Sequence, residues 1–287
     1  MLKEALSCSL DSSNDQSQPS THDQKIISVV DSTILQHVLD LLTTLLKKTD
    51  REKHAEDFCK IVAVFPQLLG FVKKSEDVFL LLHGTTALKN FIFLGHQEIL
   101  KIVETQEVIN VATRLLSPSM NEQAAICLGN LIIQIFHKIQ PEIDTDVLFA
   151  VVQKIYKTRM PSTLQSLILV FARLIQTNPK EIVELLSETS VDNRISLKVV
   201  LDKWLLQQPL FRGTYTKTVT LTALLKLFMM RDSRIESLMV IGYNPSHSNV
   251  NSEVNAPFKI LSTLLRFMKN EEKLHAAEHG IDSNLNA

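Results

Sequence analysis

Glycine and proline are scarce: seven and nine in 287 residues. Their usual joint share is about 12%, so the breakers that many tight turns require are missing and long helices are favoured. The hairpin dipeptides Asn-Gly and Asp-Gly do not occur. Cysteine is almost absent: Cys8, Cys59 and Cys127 are odd in number, far apart and form no CxxC pair. That argues against a disulfide framework or a structural zinc site and fits a reducing compartment. Net charge is only −1, which argues against a nucleic-acid binder working through one dominant basic field and leaves local patches open. The opening MLKEALSCSLDSS has no apolar run of signal-peptide length. The longest apolar patch, AAICLGNLIIQIF, is too short to span a bilayer and contains Asn130 and Gln134. A soluble intracellular protein is expected. No Gly-rich phosphate loop and no G-x-S-x-G elbow are present, so no catalytic residue and no cofactor site is assigned.

What is there is helical periodicity. Apolar residues make up 45%, enough for a substantial core. In PSTLQSLILVFARLIQ, Leu164, Leu167, Ile168, Phe171, Leu174 and Ile175 recur at steps of three and four, the mark of a buried helix face. Pro161 and Pro179 sit where helices start, since the first turn has no acceptor for the N–H they lack. Asp31 or Ser32 caps a helix over 34–48, Phe65-Pro66 breaks a second one, and Ser75 opens a third that stops near Gly95. Within that third helix Gly84 is read as a point of close packing. Helix pairs start near Ile34, Ser75, Met120, Pro161 and Thr214, at steps of 41, 45, 41 and 53 residues. A two-helix period of about 40–47 residues is the HEAT or armadillo signature, in which stacked pairs share a continuous core. The fold expected is therefore an all-α solenoid of HEAT-type antiparallel helix pairs. Its parts are a weakly ordered lead-in over 1–30, the solenoid over 31–230, a polar loop over 231–256, a final helix over 257–270 and a charged tail over 271–287. Leu167, Phe171, Leu174, Leu201, Trp204, Leu224 and Leu225 are the expected core.

Few groups carry possible chemistry. His275, Glu278 and His279 match H-x-x-E-H, but only Asp282 is acidic among the eight residues that follow, so the third acidic ligand of such a site is lacking. A chance match on a solvated tail is the reading. His54, Glu56, Asp57 and Cys59 crowd one helical turn, yet Cys59 points away from the face His54 and Asp57 share, as on an ordinary charged helix. Lys47-Lys48 and Lys73-Lys74 fit the negative ends of helices. Trp204, Phe211 and Tyr215 form the one aromatic concentration, read as packing at a helix corner before a peptide pocket. No metal site is assigned and the partner-binding residues are unknown.

One stretch carries a family likeness. Gln165-Ser166-Leu167-Ile168 with Val170-Phe171-Ala172, then Trp204, Gln208, Leu210-Phe211, Gly213, Tyr215 and Lys217, resembles the karyopherin-β superfamily of nuclear transport receptors, in its importin-9 branch. The likeness covers about residues 30–230, fading to 270, with weaker support from Gly84, Leu88, Leu116, Pro118, Leu128 and Gly129. It corresponds to the middle-to-C-terminal repeats of much longer proteins. By that resemblance the chain lacks the N-terminal repeats that bind the Ran GTPase in the superfamily, and the long Asp/Glu run of this branch. The resemblance implies a receptor segment without enzymatic activity, which carries basic cargo such as histones and ribosomal proteins under Ran control. It leaves contact with nucleoporins open and implies residence in cytoplasm and nucleus, while the charge balance and the short apolar runs point to no direct nucleic-acid contact and no membrane insertion. The residues alone also fit a general HEAT-repeat interaction scaffold, or the helical region of a large kinase without its catalytic domain.

Overall fold

The computed structural model describes the backbone of residues 21–50, 53–139, 144–242 and 252–285, and the side chains of 33–50, 53–139, 144–242 and 252–270. The fold is all-α, an α-solenoid type built from antiparallel helix pairs, with thirteen α-helices among the described residues. It divides into two compact units, residues 1–150 and 151–287.

The first unit holds α1 (Thr21–Lys48), α2 (Ala55–Val62), α3 (Phe65–Lys74), α4 (Val78–Ile99), α5 (Thr105–Leu116) and α6 (Leu128–Gln134), with a 3-10 turn at Glu122–Ala125 and a π turn at Ile135–Ile139. Helix α4 is its centre: α1, α2, α3 and α6 all pack on it. Asp77 caps it, its carboxylate accepting from Leu80 N at 2.9 Å, so the expected start near Ser75 lies two residues early. The expected stop near Gly95 is instead a kink. Gly95 leaves helical geometry (φ −128°, ψ 23°) and the helix continues to Ile99. A Cβ at Gly84 would sit 2.6 Å from Val72 Cγ2, so glycine there lets α3 approach α4, as the sequence suggested. The ring centroids of Phe65 and Phe91 lie 5.9 Å apart in the same core. Helix α4 also corrects the reading of the apolar runs. Among the described residues it is long and apolar enough to cross a membrane, yet half of that apolar window is buried inside this unit.

The second unit contains α7 (Thr145–Lys157) from residue 151 onward, α8 (Pro161–Thr177), α9 (Pro179–Glu188), β1 (Ser190–Val191), β2 (Arg194–Ile195), α10 (Ser196–Gln207), α11 (Thr214–Met230), the one-turn α12 (Ser233–Glu236), β3 (Met239–Gly242), β4 (Ser252–Asn255) and α13 (Ala256–Leu285). Helices α8, α11 and α13 lie side by side, with α11 between the other two. Helix α10 packs on α8, α9, α13 and β3.

Several expectations need correction here. Among the described residues two short antiparallel hairpins interrupt the helices, β1–β2 and β3–β4. The first turns through Asp192 (φ 51°) and Asn193 (φ 60°). Asp and Asn tolerate the left-handed conformation that a two-residue hairpin loop demands, so the absence of Asn-Gly did not exclude it. The second hairpin, with α12, lies in the stretch expected to be a polar loop over 231–256. Its pairing is supported from outside: Lys198 Nζ donates to Met239 O at 2.5 Å and Ile241 N donates to Asp202 Oδ1 at 2.7 Å. Strand formation that depends on such tertiary partners leaves little trace in local composition. Helix α13 runs through both the expected final helix and the tail over 271–287, and α1 begins at Thr21, inside the expected lead-in. Residues 1–20 of that lead-in lie outside the described residues.

The core list holds for Leu167, Phe171, Leu201, Trp204 and Leu224, all buried. Leu174 is only partly buried and Leu225 is 44% exposed. Helix α11, TYTKTVTLTALLKLFMM, is apolar around most of its circumference, so periodicity alone could not phase it.

Candidate interaction surface

Several residues that carry the family likeness, Gln165, Trp204, Gln208 and Phe211 among them, prove to be structural. Trp204 on α10 is fully buried, and its indole Nε1–H donates to Gln208 Oε1 at 2.7 Å. Gln208 in turn donates from Nε2 to Thr220 Oγ1 on α11 at 3.0 Å, and that hydroxyl donates to Thr216 O at 2.8 Å. The chain of bonds satisfies buried polar groups that would otherwise be costly. Gln165 on α8 clamps the loop before α11 from both sides. Its Nε2 donates to Arg212 O at 2.9 Å and its Oε1 accepts from Arg212 N at 2.8 Å. Gly213 follows with φ +82°, a conformation that favours glycine. The aromatic concentration splits accordingly. Trp204 and Phe211 are core, while Tyr215 is 56% exposed and lies under the Arg173 guanidinium, 5.8 Å from its ring centroid.

Among the described residues the other singled-out groups hold ion pairs and free surface positions. Among the described residues no cluster of three or more metal-ligating side chains occurs. In the turn around His54, Lys60 pairs with Glu56 at 2.8 Å and Asp57 at 3.7 Å, and Cys59 is an exposed free thiol. Residues 275–279 fall within α13, but their side chains lie outside those described. Lys73 does more than solvate a helix end: its Nζ meets Glu107 Oε2 of α5 at 3.0 Å.

What remains is surface, and two features organise it. The first is charge. The net −1 conceals two halves of opposite sign: residues 1–150 hold nineteen acidic and thirteen basic side chains, and residues 151–287 hold twelve and seventeen. The second is exposed apolar side chains at heptad spacing. On α1, Leu35, Leu39, Leu42 and Leu46 are buried, while Ile34, Leu41 and Leu45, one step round, are exposed. On α13, Phe258, Leu261, Leu265 and Met268 are exposed. An open groove of about 410 Å³ also lies beside the second hairpin, lined among others by Ile195, Lys198, Arg234, Met239 and Glu253. Its charges are engaged: Lys198 meets Asp202 at 3.4 Å and Glu253 at 2.9 Å, and Arg234 meets Asp232 at 2.7 Å.

Residues 27–265 match the protein family described as "Importin-11-like, TPR repeats". Importin subunit beta-5 of Saccharomyces cerevisiae is 30% identical over 214 residues, which is 74% of this chain and 21% of that protein. Importin-9 of Drosophila melanogaster is 30% identical over 200 residues, 66% of this chain and 19% of that protein. The chain thus spans about a fifth of the length of these relatives.

Proposed function

The chain belongs to the importin-11-like family of repeat proteins, and on that premise we propose that it serves as a segment of a nuclear import receptor, of the importin-9 type. Its cargo is basic, histones and ribosomal proteins being the chemistry that fits, and Ran controls its release in the complete receptor. It works by surface and shape, not catalysis, between cytoplasm and nucleus. The single observation behind this reading is the family match over 27–265, with two importins as relatives. It favours a receptor over a general scaffold and over the helical region of a kinase. The acidic excess of residues 1–150 adds attraction for a basic partner that is screened beyond a Debye length of about 8 Å at physiological salt.

A receptor of this kind gains affinity by engaging cargo at distant repeats together, a gain on the order of 10²–10⁴. A segment of a fifth of the length forfeits most of it. The test is a calorimetric titration of the purified chain with core-histone dimer at low, physiological and high salt. Weak binding that fades with salt is expected. Absence of binding at low salt, or equal binding of an acidic control protein, would refute the reading. Nanomolar binding that survives high salt would instead place a complete cargo site in this chain.

A further inference from the structure

In the second unit the carboxylates are segregated by layer. Helices α8 and α11, and residues 256–270 of α13, contain no Asp or Glu at all. The unit's described carboxylates sit instead on α9, in the β1–β2 turn, on α10, around α12 and on β4. Many of them are engaged there: Asp192 accepts from Tyr156 Oη at 2.6 Å, Asp202 and Glu253 meet Lys198, and Asp232 meets Arg234. Because α11 packs on both α8 and α13, these acid-free stretches are adjacent in space.

The exposed seam between α8 and α11 is basic. Along it run the Gln165–Arg212 clamp, the Arg173–Tyr215 stack, the bond from Gln176 Nε2 to Val219 O at 3.1 Å, and the bond from Lys226 Nζ to Gln176 O at 2.7 Å. The Arg173 Nε is buried with no hydrogen-bond acceptor. No carboxylate among the described residues pairs with Arg173, Arg212, Lys226, Arg266 or Lys269. Uncompensated cations on a low-dielectric wall raise the local positive potential. Exposed apolar groups accompany them: Tyr215, Leu225 and Met229 on α11, and the Phe258–Met268 stripe on α13.

We infer that the α8–α11–α13 face docks an acidic polypeptide segment that carries apolar residues among its Asp and Glu, a partner distinct in charge from basic cargo. The carboxylates answer the seam cations and the apolar residues answer the exposed leucines, methionines and phenylalanine. Nucleic acid fits less well. The chain carries no net positive charge, and the described residues of the seam offer one exposed aromatic ring, Tyr215, not the series of rings on which successive bases stack.

The experiment is fluorescence anisotropy on the full chain with two labelled probes. One is a 20-residue peptide of Asp and Glu with Phe or Leu at every fourth position. The other is a 20-nucleotide single-stranded RNA. The peptide binds more tightly than the RNA, and its binding weakens with salt. The triple variant Arg212→Glu/Lys226→Glu/Arg266→Glu weakens it about tenfold or more, since each reversal replaces attraction by repulsion at an exposed site. The control Lys48→Glu/Lys101→Glu, in the first unit, leaves it within about twofold, the range left to distant screened charges. Helicity and Trp204 fluorescence report folding. If the triple variant unfolds, Arg212→Ala/Arg266→Ala replaces it, with a loss of about threefold expected for two exposed charges. No peptide binding by the parent chain, an unchanged affinity in the folded variant, or tighter binding of RNA overturns the inference.

Discussion

Gln208→Ala tests whether the buried polar chain from α10 to α11 has the energetic role its geometry assigns. Gln208 is buried, accepts from the Trp204 indole and donates to Thr220. Truncation leaves the Trp204 N–H enclosed without an acceptor, at a cost of about 1–3 kcal/mol. Thr220 loses one partner but keeps its bond to Thr216 O at 2.8 Å, so little is added there. Loss of the buried methylene contributes about 0.8 kcal/mol more. The total is about 2–4 kcal/mol. Trp204 is the only tryptophan of the chain, so urea unfolding followed by its fluorescence reads the second unit selectively. The decisive measurement is a double-mutant cycle with Trp204→Phe, followed by far-UV circular dichroism in both backgrounds. Without the indole donor, Gln208→Ala costs about 1–3 kcal/mol less, because no orphan remains. Equal costs in both backgrounds, or a loss below about 0.5 kcal/mol in the parent, the range of ordinary surface substitutions, would refute the reasoning.

Phe171, fully buried in α8, should cost about 3–5 kcal/mol when changed to Ala if its cavity cannot collapse; a loss under about 1 kcal/mol in the same unfolding assay would contradict that packing. The Arg234 side chain holds the Asp232 carboxyl below its ordinary value, so its stabilisation is fully present above about pH 3.9, the unfolded value, and is lost as pH falls through the folded one. Asp232→Asn should therefore lower stability at neutral pH by about 1 kcal/mol or less, since solvent screens a pair at the surface, and the gap should close in acid; a gap independent of pH would contradict this. Half-buried Lys89 on α4 is held below the usual lysine range by burial and then by Lys47, so the folded state sheds its proton first and stability gains as pH rises toward about 10.4. Lys89→Met should raise the melting temperature of the first unit at neutral pH, with an advantage that shrinks toward that pH; a destabilised variant would show an unrecognised partner.

The sequence by itself was enough for the fold class and much of the core. Few breakers and a recurring pair spacing express local physics: each helix must bury one face, and periodicity records which. Phe171, Trp204 and the close packing at Gly84 were legible for that reason, while its partner Val72 came from the structure. The likeness at Gln165, Trp204, Gln208 and Gly213 was legible too, but not its meaning. Only the tertiary structure shows that these residues clamp α8, α10 and α11 together, because the bonds of Gln165 to Arg212 and of Gln208 to Thr220 join separate elements. The outward stripe of α11 with Leu225, and the β3–β4 hairpin held by Lys198 and Asp202, were hidden likewise: neither depends on a local pattern. The surface divides the same way. That no Asp or Glu occurs over 147–180, 203–231 and 254–270 is a property of the sequence. That the α8, α11 and α13 parts of these stretches lie side by side, while the acids between them fall on the other elements, is decided by packing alone. Charge acts across space, and only the fold sets which charges are neighbours.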